Sequence, residues 1–462
     1  MTLTDDSPGR EKIDVPRVAI CGTKGGAGVS SVTLGLLLAL KKAGGAPTAS
    51  KIGPGLVTTT HHRRVTGRLS HTLDAWMLGA QGVQESFARS CAGAELALVE
   101  GQAALFDRHC ADSSIQREVD VLKALRLPVI LVFDARGLGA TAETLLSGYL
   151  RWDPEVRIRG VIANYVRDAE HQRQIREAVS KLPGVSYLGG IFAADGDRFG
   201  GRASIQLNRN PSLLTRNQLI RLGGIIEKEI DLAAVQRIAE EAEPFTVDAT
   251  VTQSASRRCR IAVADDQAFH LTIQDNLDLL RRAGAELVPF SPLVDKALPE
   301  NVQGVYLSSG YLHLYAEDLA SNVAMLTALR AFVQRGEFLY AEGAAVAYLS
   351  DRVVRSDGAT LPMARITGAT ALSQMQDYEE PETTFVEAAA SDDSALAEHM
   401  KLVRGFRANR WTLRQDRPLK PLFRVREQCE QDCVTAKAET VTGEGVIISQ
   451  KVFGTMLQLH WG

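Results

Sequence analysis

The stretch Cys21-Gly22-Thr23-Lys24-Gly25-Gly26-Ala27-Gly28-Val29-Ser30-Ser31 limits the fold of this chain more than any other. An apolar run, Val18-Ala19-Ile20, precedes it, and an apolar helical pattern from Val32 to Leu40 follows. Strand, glycine-rich turn and helix in that order predict a phosphate-binding loop. Small residues let successive backbone N–H groups converge on phosphate oxygens, and the helix adds the positive end of its dipole. Gly22, Thr23, Lys24, Gly25, Gly26, Gly28, Ser30 and Ser31 are therefore the expected nucleotide-binding residues. One part of a nucleotide-hydrolysing loop is missing. Such a loop places lysine and then serine or threonine after its last glycine, whereas this chain has Val29 and then Ser30. Valine brings no charge to a β- or γ-phosphate.

A chain of 462 residues exceeds one ordinary core and implies two or three domains. Its net charge of -3 gives no basic excess, so nucleic acid is not an expected partner. Met1 to Asp14 is polar, with no charged-then-apolar leader and no apolar run long enough to span a bilayer. A cytoplasmic protein without a membrane span is the expectation. The six cysteines, at 21, 91, 110, 259, 429 and 433, are scattered and fit reduced thiols. Cys429 and Cys433 have no second ligand pair near them, which favours ordinary cysteines over a metal site.

Strand-like runs recur after the loop at Thr48 to Ile52, Leu96 to Val99, Pro128 to Phe133, Ile158 to Ala163 and Val185 to Ile191. Helical spacing lies between them, as in Thr141 to Leu150 and His171 to Lys181. This alternation predicts an α/β domain with a parallel sheet covered on both faces. Residues 1–15 read as a flexible N-terminus, 16–242 as the first domain closed by one or two helices from Asn217 to Ala242, and the small, polar segment 243–258 as a linker. A second alternating unit occupies 259–462. It shows helical spacing at Asp275 to Arg282, strands at Glu286 to Phe290, Gly304 to Leu307 and Glu337 to Tyr340, and one long helix from about Leu319 to Gln334. From Arg365 onward, short alternating runs at Thr383 to Glu387, Val434 to Val441 and Gly445 to Ser449 read as antiparallel strands.

Several motifs in order resemble the cobyrinic acid a,c-diamide synthase family, which joins a dethiobiotin-synthetase-like P-loop domain to a class I glutamine amidotransferase domain. The family's lysine-glycine-proline-aspartate segment appears as Lys51-Ile52-Gly53-Pro54-Gly55, its histidine as His61 or His62, and its glycine-arginine…leucine-aspartate segment as Gly67-Arg68 through Leu73-Asp74. Its glutamate-glycine…phenylalanine-aspartate motif appears as Glu100-Gly101 through Phe106-Asp107. Asn164 and His171 fall where the family has an asparagine and a histidine. In the second half, Ile261 to Phe269, Asp275-Asn276-Leu277, Phe290-Ser291-Pro292-Leu293 and Tyr340-Ala341-Glu342 match the amidotransferase domain. The resemblance implies two α/β domains, P-loop NTPase-like and class I glutamine-amidotransferase-like. It also implies a two-site reaction, in which a cysteine releases ammonia from glutamine and ATP with Mg2+ activates a corrinoid carboxylate for amidation. Ser30 and Glu100 would hold the magnesium, Asn164 would join the nucleotide site, and Lys51, His62, Arg64, Arg68 and Asp74 would bind the carboxylate-rich ligand.

Checked residue by residue, the resemblance breaks at the reacting groups. The nucleophile should follow Ala341-Glu342 at a strand-to-helix turn, and Gly343 stands there. The base histidine is replaced by Gln458 in Met456-Leu457-Gln458-Leu459-His460, and an amide takes up no thiol proton near neutral pH. No hydroxyl lies close downstream of Gly343 before Tyr348 and Ser350, and His460 without a nucleophile reads as structural. The oxyanion segment, glycine-glycine-tyrosine-proline-glutamate in the family, is Ser309-Gly310-Tyr311-Leu312-His313. In the first half Val29 replaces the loop lysine and Gly55 the aspartate. Lys24 resembles the signature lysine of partition and septum-site ATPases, or else is a solvent-facing loop residue.

Three functions remain open on this reading. In the first, the chain is a non-catalytic relative that binds a tetrapyrrole or other carboxylate-rich ligand, with Lys51, Arg63, Arg64, Arg68 and Arg136 edging the cleft, or that pairs with an active enzyme. In the second it is an ATP-dependent synthetase using free ammonia or another amine, with Lys24 serving the phosphates. In the third it is a nucleotide-responsive P-loop scaffold that dimerises. The first is the expectation carried forward, with a homodimer expected and ATP and Mg2+ as weakened cofactors.

Overall fold

Strands whose residues are buried on both faces can only be central strands of a covered sheet, and the apolar runs of the first half are of this kind. The computed structural model describes residues 9–107, 117–193, 214–248, 256–374, 383–391, 402–408, 411–415, 420–428 and 441–461. The chain divides into two units, Met1–Gln253 and Ser254–Gly462.

In the first unit the elements are β1 (Arg10–Ile13), β2 (Arg17–Gly22), α1 (Val29–Lys42), β3 (Pro47–Ile52), α2 (Leu56–Thr66), β4 (Thr72–Leu73), α3 (Ala75–Cys91), β5 (Leu96–Ala104), α4 (Arg117–Ala124), β6 (Pro128–Asp134), α5 (Thr141–Trp152), β7 (Arg157–Val166), α6 (Ala169–Ser180), β8 (Ser186–Phe192), α7 (Arg216–Glu229), α8 (Leu232–Glu240) and β9 (Phe245–Asp248). Seven strands form one parallel sheet in the order β4-β3-β5-β2-β6-β7-β8. One core layer holds Val83, Phe87, Leu122 and Ile175 against the sheet, and the other holds Leu34, Leu37, Ile226 and Val235. In such a sheet the binding crevice lies at the carboxyl ends of the strands, where β2 meets the loop.

The ends of this unit differ from the sequence expectation. Part of the segment read as a flexible N-terminus forms β1, which pairs antiparallel with β9 inside the segment read as linker. Arg17 explains the anchoring. Its buried guanidinium donates to the carbonyls of Leu125 (3.0 Å), Val15 (3.1 Å) and Glu243, and lies 5.0 Å from the Phe245 ring. Burial lowers its pKa to about 10, and its three carbonyl partners tie together the segments before β2, β6 and β9. The rest of that linker, 249–255, lies outside the described residues, as do Cys110, Cys429, Cys433 and most of the run from Val434 to Val441.

The second unit contains β10 (Cys259–Ala264), α9 (Gln274–Arg282), β11 (Ala285–Phe290), β12 (Gly304–Leu307), α10 (Ala316–Ser321), α11 (Val323–Gln334), β13 (Phe338–Glu342) and α12 (Ala345–Leu349). β11, β10, β12, β13 and Val452–Thr455 run parallel, and Val446–Ser449 closes the edge antiparallel. The expected long helix is two helices. Asn322 lies between them, its side chain accepting from Met325 N and donating to the carbonyls of Pro292 and Asp295, so it caps α11 and ties it to the preceding loop. Downstream, Thr384–Ala390, Val403–Arg407, Phe423–Gln428, Val441–Glu444 and Gln458–His460 form an antiparallel sheet. Among the described residues no helix is long and apolar enough to cross a membrane.

Candidate functional site

The glycine-rich loop runs from the end of β2 to the first turn of α1, as its sequence implies. Thr23 N donates to Val132 O (3.0 Å), Ala27 N to Lys24 O (3.2 Å) and Val32 N to Gly28 O (3.0 Å). Gly26 and Gly28 have φ of 77° and 97°. A Cβ on Gly28 would stand 2.1 Å from Asn164 Nδ2, and that amide donates to Ala27 O at 2.9 Å. Asn164 therefore buttresses the loop from β7, and only glycine fits beside it. Tyr149 of α5 donates its hydroxyl to Thr23 O. Val29 is buried in the core layer that also holds Val32 and Leu214, and brings no cation to the helix start. Lys24 is more than half exposed and pairs with Asp134 at 2.8 Å. Asp134 also accepts the Arg136 fork (2.6 and 3.1 Å), and although burial opposes ionisation these partners hold its carboxyl at about 2.

Three of the expected residues, carried on α1, β3 and α2, meet at a fourth, Glu100 of β5. Ser30 Oγ donates to Glu100 Oε1 at 2.6 Å and Lys51 Nζ lies 3.2 Å from the same oxygen. His62 Nε2 is 2.8 Å from Glu100 Oε2, and its Nδ1 is 3.0 Å from Ser70 Oγ. Lys51 also donates to Gly101 O. Glu100, His62 and Lys51 are buried. Burial alone would raise the Glu100 pKa, but the Lys51 ammonium, His62 and Ser30 outweigh it and bring it to about 2. An ionised Glu100 requires His62 to donate from Nε2; in the neutral imidazole Nδ1 then accepts the Ser70 hydroxyl, and in the imidazolium it donates to it. Ser70 was not among the expected residues. Its position eight residues beyond His62, past the helix end at Gly67, gave no periodic signal.

The backbone cradle and the amino terminus of the 14-residue α1 fit a phosphate. Magnesium fits less well. Ser30 and Glu100 are in contact, but both carboxylate oxygens already accept from Ser30, Lys51 and His62. Among the described residues no group of three or more His, Cys, Asp or Glu side chains is placed to hold a metal ion.

The basic edge expected between Lys51 and Arg68 does not assemble. Arg64 is exposed and donates to Leu214 O (3.0 Å), and Arg68 donates to Ala92 O just before β5, at the end of the sheet opposite the loop. Arg136 is committed to Asp134 and lies 4.3 Å from the Tyr165 ring. Asp74 is fully buried as the cap of α3, with Oδ1 accepting from Trp76 N (2.9 Å) and Met77 N (3.0 Å). His171 accepts at Nδ1 from Arg167 N (3.1 Å), and its Nε2 lies 2.6 Å from Leu138 O, so it fastens α6 to the loop after β6.

In the second unit Gly343 occupies the sharp turn from β13 to α12 with φ 60°. Its N–H donates to Thr455 O (2.8 Å) and Leu457 O (3.1 Å), which fixes the turn against the chain terminus. A Cβ at this position would stand 2.5 Å from Ser309 Oγ and 2.6 Å from Ser309 Cβ. The space above the turn is thus taken by Ser309, which accepts from Ala344 N at 3.2 Å. Gln458 is the next neighbour, its Cγ 3.5 Å from the same point and its Nε2 donating to Leu271 O at 2.9 Å. The hydroxyl against the turn is therefore not a downstream one but that of Ser309, in the loop that follows β12. The neighbour at the turn is the Gln458 amide, which takes up no hydroxyl proton near neutral pH. His460 is buried 3.7 Å from Asp275. Glu342, beneath the turn, accepts from Tyr306 and Tyr340, yet complete burial raises its carboxyl to about 8.

Comparison with known proteins agrees with this two-part arrangement. Residues 18–196 match the CobQ/CobB/MinD/ParA nucleotide binding domain and residues 260–462 the CobB/CobQ-like glutamine amidotransferase domain. The cobyrinate a,c-diamide synthase of Archaeoglobus fulgidus is 33% identical over 356 residues, 75% of each chain. That of Salmonella typhimurium is 32% identical over 349 residues, covering 75% of this chain and 76% of its own. That of Leptospira interrogans (serovar copenhageni) is 28% identical over 451 residues, covering 97% and 96%. Having the family's two domains in order and relatives along nearly its whole length, the chain belongs to the cobyrinate a,c-diamide synthase family.

Proposed function

We propose that this chain is a member of the family that hydrolyses no glutamine and keeps its phosphate loop for binding rather than turnover. The observation that carries the reading is the pair Gly343 and Ser309. The nucleophile position has no side chain, and the volume such a side chain needs is filled by a neighbour. Gln458 in place of a base adds to it. In the first unit, Val29 in the core and Lys24 engaged by Asp134 leave backbone amides and the helix dipole as the main affinity for phosphate. The protein would then act in the cytoplasm as a ligand-binding or accessory subunit. Its ligand would be a tetrapyrrole or another carboxylate-rich small molecule, the class indicated by the relatives' name. The partner would be an active synthase or a second copy of this chain.

Glutamate release from glutamine, with and without ATP, tests the loss of chemistry. Titration of cobyrinate and a porphyrin tests the ligand. Binding of neither removes the ligand part of the proposal and leaves the accessory role. The synthetase alternative, with free ammonia as amine donor, draws on the Ser30–Glu100 contact. It predicts ADP formation on adding a carboxylate substrate and ammonium.

A further inference from the structure

We infer that Lys51 is a tethered cation standing in for a metal ion at Glu100, so that the phosphate loop takes nucleoside polyphosphates without magnesium. This rests on the reading that the loop still binds phosphate.

The first ground is that both oxygens of the carboxylate are already engaged. Glu100 is completely buried, and its Oε1 accepts from Ser30 (2.6 Å) and faces Lys51 (3.2 Å) while Oε2 accepts from His62 (2.8 Å). Magnesium needs oxygen ligands in near-octahedral geometry and at short range. Reaching Glu100 would bring a dication up to a buried ammonium, where repulsion is much stronger than in water. The Lys51 charge already neutralises the carboxylate, which removes the reason for a metal to enter.

The second ground is the path the lysine takes. A Cβ on Gly55 would stand 2.9 Å from Lys51 Cε, 3.1 Å from Cγ and 3.5 Å from Cδ. The Lys51 chain therefore crosses Gly55 at a distance that any side chain there would disturb. Position 55 is where the family pattern in this segment has an aspartate. With a carboxylate at 55 the ammonium would meet a second anion and the aliphatic chain would be displaced. Glycine at 55 and the ion pair at Glu100 are thus one coupled feature.

Calorimetric titration of the full-length protein with ATP and with inorganic tripolyphosphate, in EDTA and in excess magnesium, tests the inference. The expected result is binding in EDTA at least as tight as with magnesium. Tightening by magnesium of more than about threefold overturns it, since an ion bridging Glu100 and phosphate would add at least that much. Absence of binding under both conditions overturns the phosphate-loop reading itself, and this inference with it. The Gly55→Asp protein is the second arm, because the clash falls on the flexible end of Lys51 and the fold should survive. Its ATP affinity should become magnesium-dependent by about tenfold or more. An unchanged response to magnesium in folded Gly55→Asp overturns the coupling between positions 55 and 51.

Discussion

Ser309 Oγ lies 2.5 Å from the point at which a Cβ on Gly343 would stand, so a hydroxyl from the loop after β12 fills the space above the turn after β13. The two residues are mutually dependent. Gly343→Cys places a side chain in the left-handed region, at a cost of about 1–2 kcal/mol, and overpacks Ser309, at a cost of about 1–3 kcal/mol. Urea denaturation should show the single variant destabilised, and the pair Gly343→Cys with Ser309→Gly should recover the overpacking part. The single variant should release no glutamate from glutamine. Adding both Ser309→Gly and Gln458→His is the smallest change expected to give release above background.

Glu342 should make stability fall as pH rises. Its carboxyl is moved from 4.5 up to about 8 by burial, so between these values the unfolded chain has lost the proton that the folded chain still holds. Stability is greatest below pH 4.5 as far as this group is concerned, declines toward pH 8 and is level above it. The full change is on the order of 5 kcal/mol. Glu342→Gln should flatten the denaturation midpoint between pH 5 and 8, and a profile as steep as the parent's would reject this assignment.

Glu100 should act in the opposite direction, at lower pH. Its pKa is lowered from 4.5 to about 2, so its contribution is present above 4.5 and is lost as pH falls toward 2. Lys51→Met leaves the carboxylate buried without its cation and should cost about 3–5 kcal/mol. Lys51→Met combined with Glu100→Gln should recover most of that loss, measured as the urea midpoint at pH 7.

Asn164 and Lys24 should separate by the size of their effects. Asn164→Ala leaves the Ala27 carbonyl without its buried donor and should cost about 1–3 kcal/mol. Lys24→Ala removes a largely exposed pair from an Asp134 that keeps the Arg136 fork, and should cost less than about 1 kcal/mol. If Lys24 reaches phosphates in spite of its Asp134 contact, the same variant will weaken ATP binding, which calorimetry detects.

The sheets were legible because parallel strands buried on both faces leave unbroken apolar runs, as at Pro128–Asp134, and because Gly26 and Gly28 mark a turn that few folds use. Gly343 and Gln458 were legible as a pair because each is the wrong chemical type at a motif position, and they are neighbours in space. β1 and β9 were hidden, since two four-residue strands with alternating exposure pair across most of the unit and carry no local periodicity. The arginine cluster was a misreading that helix geometry could have prevented. His61, His62 and Val65 are the buried face of α2, and Arg64, two residues from His62, must point elsewhere. Ser309 was legible as a departure from the family pattern, but its contact with Gly343 joins the loops after two different strands, which no local pattern announces.

The most direct measurement is the rate of glutamate release from glutamine by the purified wild-type chain, with ATP and cobyrinate present and a mock purification as control. The account predicts a rate equal to the control. Release well above the control, persisting through further purification, would contradict it.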